Sequence, residues 1–158
     1  MGKTDDIKKV LSAIEGAIRS EIEGYNFYLW ASTKTKDPKG KSVFRELAGE
    51  EIKHLKILEG EYVRHGGVRA WREPGAEDVT KEKTFEIGKG IRMKIGENTT
   101  EKDALKMALT VEQEAMDFYR NLAKETENHD LSKVFHGLSE MEDKHLEMIK
   151  YRYELYTR

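Results

Sequence analysis

A chain of 158 residues is the size of one domain and can bury about two-thirds of its unfolded surface. Charged residues make up 37% of it but cancel to a formal net charge of −2, so the basic excess that marks nucleic-acid binders and membrane-surface helices is missing. Cysteine is absent, which excludes disulfides, thiol catalysis and cysteine-ligated zinc or iron on these residues and leaves oxygen and nitrogen to do any chemistry. The first residues, MGKTDDIKKV, hold no secretory-type apolar run, and no stretch approaches the ~20 apolar residues that span a bilayer. The expectation is a cytoplasmic protein with neither membrane nor nucleic acid as partner.

In chain order, the spacing predicts a first helix over about 5–33, with Ile7, Val10, Leu11, Ile14, Ile18, Ile22, Tyr25, Tyr28 and Leu29 on one stripe. Lys36-Asp37-Pro38-Lys39-Gly40 breaks it, because proline disfavours helical geometry at the residue before it. A second helix over about 40–65 stops at Gly66-Gly67. Residues 66–99 are rich in glycine and read as a crossover connection, with a short helix around Phe85 to Ile95 weakened by Gly88 and Gly90. A third helix starts near Thr100, which can cap it together with Asp103, and runs to about 127. The Asn128-His129-Asp130 turn then leads into a fourth over about 131–156.

The second helix raises a difficulty. Its apolar stripe of Phe44, Leu47, Leu55 and Leu58 also contains Glu51 and His54, and burying an unpaired carboxylate costs several kcal/mol. An internal repeat supplies the partners. A constant offset of 91 residues carries Glu21, Glu23, Phe27 and Tyr28 onto Glu112, Glu114, Phe118 and Tyr119. The same offset carries Val43, Phe44, Leu47, Glu51, His54 and Leu55 onto Val134, Phe135, Leu138, Glu142, His145 and Leu146. Two similar helical hairpins joined by one long connection make a four-helix bundle. Glu51 and His54, and likewise Glu142 and His145, project from one face at i and i+3. Glu21 and Glu112 fall in phase with the core stripes of helices one and three, whereas Glu23 is rotated towards solvent.

The inward set is therefore four carboxylates and two imidazoles. Two divalent cations would neutralise it, and its donors suit iron or manganese. A single Glu-x-x-His is weak in so glutamate-rich a chain. Two at the same helical phase, each 30 residues after an in-phase Glu within duplicated hairpins, are not. The alternative, a charged bundle whose Glu and His side chains are solvated or salt-bridged, leaves six polar groups in core stripes.

Here the sequence resembles the ferritin-like superfamily, and in particular the rubrerythrin di-iron domain, across AIRSEIEGYNFYLWAS and FRELAGEEIKHL in the first half and ALTVEQEAMDFYRNLA and VFHGLSEMEDKHL in the second. The resemblance implies an all-α, ferritin-like four-helix bundle filling residues 1–158 as a single domain. It implies Glu21, Glu51, His54, Glu112, Glu142 and His145 as ligands of two iron ions, with manganese or a mixed pair as the alternative metal and Glu51 and Glu142 as the bridges. The activity it implies is reduction of hydrogen peroxide or dioxygen, with an external electron donor such as a rubredoxin-like protein. A ferroxidase or iron-sequestering role and a manganese–iron oxidase are the rival readings. A homodimer is expected.

Three departures qualify the likeness. Rubrerythrins carry a cysteine-ligated rubredoxin-like domain that these residues lack, and a further Glu ligand three residues after the helix-three Glu, where this chain has Ala115. Ile52 stands where bacterioferritin has its haem-binding methionine, so no haem is expected. Tyr28 and Tyr119, two turns beyond Glu21 and Glu112, are placed either to hydrogen-bond a ligand carboxylate and supply a proton or simply to pack in the core. Glu50 reads as a bystander, because its repeat partner is Met141. His65, His129 and His136 read as solvated, and Trp30 and Trp71 as packing at a subunit or crossover contact.

Overall fold

The computed structural model describes residues 2–68, 83–87, 91–95 and 99–156. Four helices dominate it: α1 (Lys3–Lys34), α2 (Pro38–Arg64), α3 (Glu101–Glu125) and α4 (His129–Glu154). Helices α1 and α2 pack as one hairpin and α3 and α4 as a second, and the hairpins meet through α1 against α3 and α2 against α4. This is the four-helix bundle with one long crossover.

The helix ends follow from local chemistry. Asp37 caps α2 by accepting a hydrogen bond from the Lys39 amide at 3.1 Å, and Pro38 then occupies the first helical position, where its missing N–H would have no partner anyway. The helix thus begins at the proline rather than after it. Gly66 ends α2 at a φ of +95°, a backbone conformation glycine adopts without penalty, and the Gly67 amide bonds back to the Tyr62 carbonyl at 2.9 Å. Thr100 and Asp103 form the reciprocal capping box predicted for α3. Asn128 caps α4 by accepting from the Leu131 amide at 3.0 Å, which draws His129 and Asp130 into the helix instead of leaving them in a turn.

The crossover departs from expectation. The short helix placed around Phe85 to Ile95 is instead an antiparallel pair, β1 (Lys83–Ile87) and β2 (Ile91–Ile95), in register from Lys83 opposite Ile95 to Ile87 opposite Ile91. Gly88 and Gly90 fall in sequence between the two runs, outside the described residues. Strand β1 lies beside α1 and α3. Trp71 lies outside the described residues.

The core is split into two apolar layers. One gathers Phe27, Tyr28, Trp30, Phe44, Leu47, Leu105, Ala108 and Ile149, and the other Ile14, Ile18, Leu55, Leu58, Tyr119, Leu131, Phe135 and Leu138. Trp30 belongs to the first of these layers, 3% exposed and beside Phe27, so its burial needs no second subunit. Between the layers, in sequence on all four helices, fall the polar positions that the repeat singled out.

Candidate metal centre

Each helix delivers one segment to the gap between the apolar layers: Glu21 from α1, Glu51 and His54 from α2, Glu112 from α3, Glu142 and His145 from α4. All six are at most 5% exposed. The Nδ1 atom of His54 lies 3.3 Å from Glu21 Oε2 and 3.1 Å from Glu142 Oε1. Its repeat mate, His145 Nδ1, lies 3.2 Å from Glu142 Oε2 and 3.7 Å from Glu112 Oε1. The two imidazoles stack, with centroids 5.5 Å apart and planes 15° from parallel.

Two four-residue groups have donor atoms within 4.8 Å of one another: Glu21, Glu51, His54 and Glu142 form one, and Glu51, Glu112, Glu142 and His145 the other. Each group owns one Glu and one His, and both share Glu51 and Glu142. Through that overlap the two groups would be able to hold a pair of ions side by side.

Hydrogen bonds reach across the repeat. The Tyr28 hydroxyl of the first hairpin donates to Glu112 of the second, and the Tyr119 hydroxyl of the second donates to Glu21 of the first. Each tyrosine is held by matching rings: Tyr28 stacks on Phe44 at 6.3 Å, and Tyr119 on Phe135 at 6.2 Å. Burial, and then the nearby carboxylates, push both phenols well above their ordinary pKa, so they keep their protons and serve as donors.

Protons balance the charge of the bare cluster. Burial and neighbouring carboxylates raise Glu51 and Glu112 well above the ordinary carboxylate range. Burial opposes charge on the imidazoles, but hydrogen bonds to carboxylates outweigh it and raise His54 to about 10 and His145 to about 9. Glu142 is pulled the other way: burial disfavours its charge, yet the Glu112, His145 and His54 side chains that face it hold it below the usual range. Even so, some demand is unmet. Buried Glu112 Oε2 has no hydrogen-bond partner, and Glu142 Oε1 faces His54 Nδ1 without the alignment of a hydrogen bond. Orphaned carboxylate oxygens converging with imidazole nitrogens fit a pair of divalent cations, which would replace the protons and satisfy those atoms.

The remaining candidates divide. His129 and His136 are exposed, as expected. His65 is half-buried, with Nε2 3.5 Å from Glu61 Oε2, and stands apart from the cluster. Glu23, expected to face solvent, is half-buried. Glu50 binds Lys53 at 2.7 Å, yet a carboxylate oxygen also comes within 4.8 Å of donor atoms of His54 and His145. Comparison of the hairpins had set it aside because Met141 occupies the matching position; its place directly before Glu51 was the available signal.

A four-helix bundle with a carboxylate–histidine layer between two apolar layers defines a metal-binding protein of ferritin-like build. The chain belongs to the rubrerythrin family, whose model matches residues 12–89 and 103–157. Among solved structures it is similar to a hypothetical protein from Pyrococcus furiosus, at 22% identity and a TM-score of 0.70, covering 92% of this chain and 89% of that one. That likeness speaks for the fold. No curated protein matches the sequence. No helix among the described residues is long and apolar enough to cross a membrane.

Proposed function

We propose that the protein is a dinuclear iron oxidoreductase of rubrerythrin type that reduces hydrogen peroxide, with electrons from an external donor. The observation that carries this reading is the pair of overlapping ligand groups sharing Glu51 and Glu142. Glu21 and His54 would hold one ion, Glu112 and His145 the other. Bound iron supplies one electron per ion to the O–O bond, so two electrons and two protons convert one peroxide to two waters.

The two protons come ultimately from solvent, and the residues around the ions would orient the ligands and shield the site. Tyr28 and Tyr119 fix the rotation of Glu112 and Glu21 through the hydrogen bonds they donate. The two apolar layers exclude bulk water from both ends of the site. The 158 residues hold no cysteine, so a cysteine-ligated electron relay has to lie outside them.

Stopped-flow mixing tests the proposal. Protein loaded anaerobically with two ferrous ions per chain is mixed with hydrogen peroxide or with dioxygen. Faster oxidation by peroxide, by tenfold or more, with iron retained in the site supports peroxide reduction. Equal rates, with oxidised iron leaving the protein as a mineral, would establish ferroxidase chemistry instead. Manganese and iron found together in protein from its native host would point to a mixed-metal oxidase.

A further inference from the structure

Gly24 is buried in the interior of α1, where glycine is among the poorest helix formers. Backbone conformation does not explain it, because among the described glycines only Gly66 has a positive φ. Space does. A Cβ added at Gly24 would lie 2.9 Å from Glu51 Oε2, 3.3 Å from Glu51 Cδ and 3.7 Å from Glu51 Cγ, so its three nearest neighbours all belong to one side chain. Among other glycines within helices, Gly49, Gly60 and Gly137 would meet nothing within 4 Å, Gly16 would meet only side-chain ends at 3.9 Å, and Gly40, near the start of α2 and far from the cluster, would crowd Glu101 and Thr35. At the repeat-related position Ala115 carries the methyl group that Gly24 lacks.

We propose that Gly24 is a positioning residue, whose missing side chain is the space in which the Glu51 carboxylate lies when it joins the two halves of the site. The inference rests on the dinuclear reading above. It predicts opposite effects of one methyl group on the two forms of the protein. Without metal, only the far end of the Glu51 side chain stands in the way, so that its carboxyl group can turn aside and the alanine improves the helix. With two ions held, Glu51 would be fixed by both ligand groups it belongs to and could not turn aside.

The test compares wild type, Gly24→Ala and, as a control for helix propensity alone, Gly137→Ala. Each is melted without metal and then titrated anaerobically with cobalt(II), followed by absorption and calorimetry. Both substitutions are expected to raise the metal-free Tm by about 2–4 °C. Only Gly24→Ala should weaken cobalt binding, by about tenfold or more for the second ion, while Gly137→Ala binds as wild type does. Wild type that binds fewer than two ions would overturn the dinuclear reading, and this proposal with it. Wild type that binds two, with Gly24→Ala unchanged in affinity, would overturn the proposal alone. A metal-free Gly24→Ala protein that melts below wild type or fails to fold would also overturn it, because the added methyl would then be meeting something other than a movable carboxylate.

Discussion

Tyr28 donates its hydroxyl proton to Glu112, across the boundary between the two hairpins, and Tyr119 returns the arrangement to Glu21. The repeat therefore does more than duplicate ligands: each half orients a terminal carboxylate of the other. A phenol in this role leaves its partner stranded when it is removed, since Glu112 Oε2 already lacks a hydrogen-bond partner.

Tyr28→Phe is accordingly expected to destabilise the metal-free protein by about 1–3 kcal/mol, the usual cost of orphaning a buried polar group. Tyr119→Phe should do the same, and both should slow peroxide reduction more than they weaken iron binding. Thermal melts and stopped-flow traces on the two variants check this. Unchanged Tm and rates would reduce both tyrosines to packing groups.

Replacing Glu51 with Gln separates stability from metal binding. Its carboxyl is raised well above the ordinary range by burial and then by Glu21 and Glu142, so folding at neutral pH opposes its ionisation. That cost is present above the unfolded pKa and vanishes in the Gln variant, so the metal-free Tm should rise. Metal affinity should fall by about tenfold or more. Glu46→Gln, an exposed acid on the same helix, should change neither, and metal-dependent shifts in Tm for both variants decide the matter.

Much of this site was legible in the sequence because a ligand set imposes periodicity. Glu51 and His54 violate an apolar stripe, and the repeat at a fixed offset explained the violation; the six inward residues converge as that logic required. The caps at Thr100 and Gly66 were equally local and equally readable. The crossover was not. Gly88 and Gly90 say only that no stable helix runs through them, whereas the pairing of β1 with β2 depends on partners that periodicity in a single segment does not reveal. Gly24 was invisible for a similar reason: a missing side chain carries information only once its neighbour in space is known.

Loading the site should release protons. Glu51, Glu112, His54 and His145 all hold protons more tightly than usual in the metal-free protein, with His54 near 10 and His145 near 9. Metal must displace them, so affinity should climb as pH rises from about 6 to 8. Titrating ferrous or cobalt ions into weakly buffered protein would report the protons directly. An affinity independent of pH would contradict the displacement.

Far from the metal layer, Arg152 of α4 binds both Asp37, the α2 cap, and Glu101 at the start of α3, the latter at 2.9 Å. Removing it as Arg152→Met leaves partly buried Glu101 with the Tyr156 hydroxyl but no cation and should cost about 1–3 kcal/mol. The same clasp gives an acid limb to stability. The Arg152 hydrogen bond holds Asp37 below its ordinary pKa, so its contribution is complete above the unfolded value of about 3.9 and disappears as pH falls through the lower folded value. Melts from pH 6 down to 2 should show wild type losing stability faster than Arg152→Met. Parallel curves would mean the clasp contributes nothing to the pH dependence.

The central claim is that six buried side chains hold two ions with Glu51 and Glu142 shared between them. Anaerobic equilibrium dialysis against ferrous iron, followed by metal analysis, tests it most directly. Two ions per chain are expected in the wild type, and one or none in Glu142→Gln, with His65→Ala and His136→Ala still binding two. A wild type that holds a single ion, or one whose binding survives Glu142→Gln and is lost with His65 or His136, would contradict the account.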